Sequence, residues 1–375
     1  MPGGVFVNIR AGFSFMPIES ISIDRFRNLQ PVQLQLSPQL NLFTGDNAAG
    51  KTSLLETLYV LARGRSFRAR QLDKLVQNNS DGFRLVVQIK DAEGRTIPVG
   101  MQRTGSRLVC RINGQPVKRL SDLAALFPVQ WLGGNLHAVI EEGPAYRRQL
   151  LDWGLFHVKP SYIDCWKRFQ KLLKQRNAAI RQRGGLREIK AWDAELASAG
   201  EQLDSFRREY VSVLLPEIHH LSGDFSILEH AVSVDYKKGW ADGITYAEAL
   251  NNGLEKDRES GYTHCGPQRA ELAFSYQGKP ARERLSRGQQ KVYVVALQLA
   301  QATLLYKETG KTSLFLFDDL GAELDAGNQA RVMKLLHAIS AQVFVTSINH
   351  VELTDWPVEQ VKRFHVEHGE VTEML

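Results

Sequence analysis

Apolar and polar residues alternate around Ile21 and Ile23, and again through Val32, Leu34 and Leu36, the period-two pattern of half-buried strands. The segment Leu40–Thr44 (LNLFT) predicts a further strand that runs into a glycine-rich turn. Beyond the turn, Ser53–Ala62 (SLLETLYVLA) carries apolar residues at helical spacing. Leu85–Ile89 and Arg107–Ile112 predict two more strands, and Asn113-Gly114 before Val117 predicts a tight hairpin turn. Leu314–Phe317 (LFLF) is a continuous apolar run, as in a strand covered on both faces of a parallel sheet, and Val343–Val345 is another. Phe364–Met374 predicts a closing hairpin that turns at His368-Gly369.

The middle of the chain has a different period. From Tyr162 apolar residues fall at 162, 166, 169, 173 and 180, with Arg176 breaking the pattern and Gly184-Gly185 ending it. From Ile189 through Trp192, Leu196, Ala199, Leu203, Phe206, Tyr210 and Val213 the steps alternate between three and four, a heptad seam, and Pro216 follows. Two helices joined at a glycine pair predict a helical hairpin, with a seam of about 25 residues spanning only ~40 Å. These apolar residues read as packing, not as a binding site.

Composition narrows the class. A chain of 375 residues predicts two or three domains at about 100–200 residues each. With 43% hydrophobic and 23% charged residues it is neither disordered nor collagen-like. The longest apolar stretch, Val292–Tyr306, is interrupted by Gln298 and Gln301 and is too short to span a bilayer. The first residues lack the basic start and apolar run of a secretory signal. Residues 1–15 are expected to be an extension outside the fold or the product of an upstream start codon. Cys110, Cys165 and Cys265 form no CxxC pair, so a zinc or iron–sulfur site is not expected, and free thiols fit a cytoplasmic location. The formal charge is +6 with a pI near 9.1, which favours a polyanionic partner. From Ala62 to Leu120 there are 13 Lys and Arg against four acidic residues. Lys167, Arg168, Lys171, Lys174, Arg181 and Arg183 line the outer face of the first hairpin helix; both clusters suit either a polyanion or plain solvent.

The chemistry is concentrated in four motifs. Gly45, Asp46, Asn47, Ala48, Ala49, Gly50, Lys51 and Thr52 match GxxxxGK[ST] in full, after a predicted strand and at the start of a predicted helix. In such a loop the backbone N–H groups cradle phosphates and the helix adds the positive end of its dipole. Lys51 would reach the β- and γ-phosphates of ATP, and Thr52 would offer its hydroxyl to Mg2+. Asp318-Asp319 ends the apolar strand LFLF, where a P-loop ATPase needs a carboxylate for the magnesium shell; Asp318 takes that role and Asp319 the orientation or deprotonation of attacking water. The plain alternative is a pair of turn aspartates. Leu285–Lys291 (LSRGQQK) precedes a long helix and by itself reads as a serine-capped helix start. Gly321–Asp325 (GAELD) follows the aspartate pair.

P-loop, LSRGQQ, strand with Asp-Asp, and GAELD, in that order, resemble the ATP-binding-cassette heads of the SMC/Rad50/RecF group. The resemblance narrows to the RecF family of bacterial DNA repair and replication factors through Phe26–Leu29 (FRNL), Gly64–Arg68 (GRSFR), Gly143–Asp152 (GPAYRRQLLD), Leu172–Asn177 (LLKQRN) and Gly266–Leu272 (GPQRAEL), spread over nearly the whole chain. It implies an α/β fold: an ABC-type P-loop head of mixed sheet and flanking helices at 16–138 and 266–375, with a smaller helical-hairpin lobe at 139–265. It further implies that Ser286, Gly288 and Gln289 of one subunit contact the nucleotide of a second subunit, and that Asp325 lies in a loop crossing the interface of an ATP-dependent homodimer. The implied function is binding of gapped, single-stranded and double-stranded DNA, with RecR and RecO as partners in loading RecA onto strand coated with SSB, and slow DNA-stimulated ATP hydrolysis as the reset. Contacts to DNA should fall mostly on phosphate.

The chain departs from the family pattern in places. Gln268 stands where RecF proteins usually carry histidine, and Trp131–Asn135 lacks an expected acidic residue, leaving Gln130 as the candidate glutamine-loop residue. Ser347 and His350 both lie past the strand that would carry a switch residue, and neither is chosen. Three other readings share the P-loop. A transporter's nucleotide-binding subunit would have a much shorter insert between Lys51 and Ser286. A small-molecule kinase would not need LSRGQQ, and a full SMC or Rad50 protein would need a far longer arm.

Overall fold

The computed structural model describes residues 17–374 apart from 92, 225–227, 229, 340 and 349–355. The expected N-terminal extension and His350 lie outside the described residues. Contacts divide the chain into two units, Met1–Leu136 with Leu305–Leu375, and His137–Leu304.

Among the described residues the first unit holds two six-stranded sheets. One runs, edge to edge, Glu370–Met374, Val361–Glu367, Leu40–Thr44, Gln342–Ser347, Leu314–Phe317 and Val129–Leu132. Its inner strands pair in parallel, and only the closing hairpin is antiparallel. Leu314–Phe317 and Gln342–Ser347 are buried at every position, which explains the apolar runs Leu314–Phe317 and Val343–Val345, while the buried Gln342 and Thr346 are met by hydrogen bonds. The other sheet is antiparallel and contains Ile18–Asp24, Val32–Gln35, Gly82–Lys90, Thr96–Thr104 and Arg107–Ile112. Asn113 and Gly114 both take positive φ (49° and 76°) in the turn leading to Gln115–Pro116, as the Asn-Gly pair predicts. The inward residues Ile21, Ile23, Leu85 and Val87 share one core with Leu55 and Leu58 of the helix Lys51–Arg63 and with Phe344 and Phe364. That helix is buried around most of its circumference, and truncating one of its core leucines to alanine would cost about 2–5 kcal/mol.

The second unit is mainly helical. Tyr162–Arg181 packs against Asp193–Asp224, the expected hairpin. Arg176 does not break the buried face; it belongs to it, with no exposed side-chain surface. Its guanidinium donates to Asp193 (2.7 Å), Asp257 (2.7 Å) and Thr263 (2.8 Å), so a long cation fills a core position because three side chains meet it. The second helix runs on through Pro216. Leu214, Ile218 and Leu221 are buried on either side of the exposed proline, and this packing outweighs one lost backbone bond. At its expected last seam position Val213 is 44% exposed and Leu214 takes its place.

The second unit also holds a small sheet absent from the sequence expectation: Ser233–Lys237, Glu271–Tyr276 and Lys279–Pro280. This explains where the units divide. The first division is two residues from the expected one, but the second falls at 304 and not at 265. Glu271–Tyr276 pairs with Ser233–Lys237 and packs on the helix Pro144–Val158, so residues 266–304 group with the helices.

Candidate phosphate-binding site

Leu40–Thr44 lies inside the parallel sheet, and the chain leaves its C-terminal end into the glycine loop. Gly45 has φ 151°, and a Cβ there would sit 2.1 Å from the Val366 carbonyl oxygen, so no other residue fits. Ala48, at φ 65°, is held in the left-handed region without that excuse, a strained position of the kind found at binding loops. The turn of the closing hairpin braces the loop: the Gly369 N–H donates to the Ala49 carbonyl at 2.8 Å. Asn28 adds a side-chain bond to the Ala48 carbonyl (3.3 Å) and accepts one from Ser53 (2.9 Å).

The helix that follows begins bare. Gly50 supplies no capping side chain, and its first turn carries no acid. Its leading N–H groups are therefore free to meet an anion, aided by the helix dipole. Lys51, only 7% exposed, folds back over the loop and donates to the carbonyls of Gly45 (2.7 Å) and Asp46 (2.8 Å). Burial lowers its pKa below the ordinary lysine range, against the pull of Asp319, Asp318 and Asp46.

Thr52 donates to both oxygens of Asp318, at 2.8 and 3.1 Å. Thr346, on the neighbouring strand, donates to Asp318 at 2.9 Å and accepts the Asp319 N–H at 2.9 Å. Burial raises the Asp318 pKa above the ordinary carboxylate range, opposed by the two threonine bonds and by Arg68 and reinforced by Asp319. Asp319 itself turns the chain at φ 51°. These groups line one cavity of about 930 Å³, shared with Arg27, Asn28, Arg68, Lys74 and Gln77. The volume suits a nucleotide-sized ligand. Among the described residues no group of three or more His, Cys, Asp or Glu forms a metal cluster. A hydroxyl beside a carboxylate is nonetheless a hard-oxygen pair of the type magnesium accepts.

The other expected residues lie elsewhere. Ser286 is exposed and starts the helix Arg287–Thr309 in a reciprocal cap, its N–H donating to Gln289 Oε1 (2.9 Å) and its hydroxyl accepting the Gln289 N–H (3.3 Å). Gly288 is exposed as well, and none of the three lines the cavity. Asp325 caps the helix Ala326–Ala338 by accepting the Asn328 N–H at 3.0 Å, a bond that lowers its pKa. It too is outside the cavity wall. Gln130 is buried and its side-chain nitrogen has no hydrogen-bond partner; Ser347 is buried. Gly133 packs so tightly on Asp318 and Trp131 that a Cβ would fall within 2.9 Å of both, a physical reason for a small residue in the stretch lacking the expected acid. Sequence reasoning missed Thr346 and gave Arg27, Asn28 and Arg68 no role beyond the resemblance. Arg27 and Asn28 sit three and four residues past the end of the first strand, a spacing that carries no signal by itself.

Residues 17–372 match the model of the RecF/RecN/SMC N-terminal domain. The DNA replication and repair protein RecF of Nitrosococcus oceani is 40% identical over 367 residues, covering 96% of this chain and 100% of the relative. This chain belongs to the RecF family. The RecF of Haemophilus influenzae is 39% identical over 94% of the chain and 98% of its own length. The solved structure of the recombination mediator protein RecF-ATP in the RecFOR pathway has the same fold, with a TM-score of 0.84 at 24% identity, covering 98% of this chain and 100% of that one. RecF relatives are thus proteins of DNA replication and repair, and the head architecture is that of the SMC-like ATPases.

Proposed function

We propose that this chain is an ATP-dependent DNA-binding protein of recombinational repair and replication restart. The observation that carries the reading is the meeting of Lys51, Thr52, Asp318 and Asp319 around one cavity at the end of a parallel sheet. In this reading the loop 45–52 holds the triphosphate of ATP, with Lys51 exchanging its two carbonyl partners for β- and γ-phosphate oxygens. Thr52 and Asp318 would hold magnesium, which supplies neutralisation of the phosphate charge when bound. Asp319 orients and deprotonates the attacking water. Ser286, Gly288 and Gln289 of a second copy reach the γ-phosphate, and Asp325 lies at the interface, so that ATP joins two copies.

The joined pair binds DNA at gaps and single-strand junctions and, with RecO and RecR, helps RecA onto strand coated with SSB; slow, DNA-stimulated hydrolysis releases it. Support comes from the family membership and from the RecF relative described with ATP in the RecFOR pathway. The exposed lysines 167, 171 and 174 on one helix suit phosphate contacts, so log K should fall by about 0.9 per phosphate neutralised as log salt rises. Sedimentation with a non-hydrolysable ATP analogue, magnesium and gapped DNA tests the reading. Wild type should sediment as a DNA-bound dimer. Lys51→Met should remain a folded monomer, and nucleotide-independent DNA binding in both would sink the proposal.

A further inference from the structure

The cavity has walls that the glycine loop does not explain. Arg27 and Arg68 reach it from two separate loops, one after the first strand and one after the helix Lys51–Arg63. Both loops are tied to the same side chain. Glu56, one turn along that helix from Thr52, has no exposed side-chain surface. Arg27 grips it with two bonds, Nε to Oε2 at 2.9 Å and Nη2 to Oε1 at 3.0 Å. Ser66 donates its hydroxyl to Glu56 Oε1, and the same hydroxyl accepts the N–H groups of Arg68 and Ala69, each at 2.8 Å. Arg27 has φ 54°, a strained conformation for arginine, and its N–H is pinned to the Leu75 carbonyl at 2.8 Å beside the cavity residues Lys74, Val76 and Gln77.

A buried ion pair is poor evidence of stabilisation, because an apolar residue would fill the same helix position without a charge to neutralise. What distinguishes Glu56 is where its partners go. Every side chain bonded to it belongs to a loop that forms the cavity wall. We propose that Glu56 is a positioning residue, which holds the Arg27 guanidinium toward the phosphates bound at 45–52 and the Ser66–Ala69 turn so that Arg68 faces Asp318 across the same cavity. The two arms differ in consequence. Arg27 is held directly and serves binding. Arg68 is held through Ser66 and acts on Asp318, whose carboxylate already feels its charge. The inference rests on the nucleotide reading above.

The test is a double-mutant cycle read by mant-ATP affinity and by steady-state hydrolysis. Arg27→Ala and Glu56→Ala should each weaken mant-ATP binding about tenfold, and the double variant by the same tenfold, because both remove one device. Glu56→Gln keeps the shape and one acceptor and should fall between. Ser66→Ala should leave affinity near wild type but lower kcat, a split that general loosening of the fold would not produce. Effects of Arg27 and Glu56 that multiply to about a hundredfold would overturn the proposal, as would wild-type affinity and kcat in the Glu56→Gln and Ser66→Ala variants. Those two variants decide the matter if Glu56→Ala does not fold. Failure of the wild type to bind mant-ATP is a different result: it removes the nucleotide reading and this inference with it.

Discussion

Two helices begin at motifs, and they begin in opposite ways. Lys51–Arg63 starts after a glycine, with no cap and no acid in its first turn, and Lys51 is turned back over the loop. Arg287–Thr309 starts after Ser286, whose hydroxyl and N–H are both engaged by Gln289. The first has its donors left over for a ligand; the second satisfies its own at a start, Ser286–Gly288, that is exposed. The same contrast holds for buried charge. In the first unit Lys51, Asp318 and Asp319 line a cavity. In the second, Arg176 is fully enclosed by Asp193, Asp257 and Thr263. A buried charge closed in by bonded carboxylates is architecture, whereas one facing open volume is available for chemistry.

This contrast can be tested from its strongest consequence downward. Arg176→Ala takes the cation from the buried Asp257, leaving it only its His264 bonds, and should lower stability by about 3–5 kcal/mol in urea unfolding, while ATP affinity measured well below the transition stays at the wild-type level. Lost affinity in a folded Arg176→Ala protein would break the division between architecture and site. Ser286→Arg should bind ATP as a monomer nearly normally yet fail to dimerise, a loss visible in sedimentation; an intact ATP-dependent dimer would remove the assignment of Ser286 to a second copy's nucleotide. The smallest effect concerns Asp318. Its pKa is raised in the folded state, so its ionisation costs stability that appears as pH rises through the carboxylate range and persists at neutral pH. Asp318→Asn should therefore raise the thermal midpoint of the nucleotide-free protein by a few degrees at pH 7, with no gain at a pH low enough to protonate the carboxyl, while abolishing hydrolysis. A fall in the midpoint at pH 7 would mean that the threonine bonds outweigh desolvation.

Much of the first unit was legible beforehand because its strands are buried on both faces or alternate cleanly, and because GxxxxGK[ST] states its own backbone geometry. The hairpin turns at Asn113-Gly114 and His368-Gly369 were readable for the same local reason, positive φ at both residues. Arg176 was misread because periodicity scores a charge as solvent-facing, and its three partners come from positions as distant as Thr263. The small sheet escaped notice because Ser233–Lys237 is only partly buried and its partner lies beyond two further helices in the chain.

By itself the amino-acid order determined the main strands of the first unit, the helical hairpin, the phosphate loop and the family. These depend on residue type at short spacing: glycine where Cβ cannot fit, apolar residues at periods of two and near three and a half. Tertiary structure alone decided that Thr346 joins Thr52 on Asp318, that Glu56 gathers Arg27 and Ser66, and that residues 266–304 pack with the helices. Such contacts form between segments far apart in the chain, where pairing energy and not spacing selects the partner.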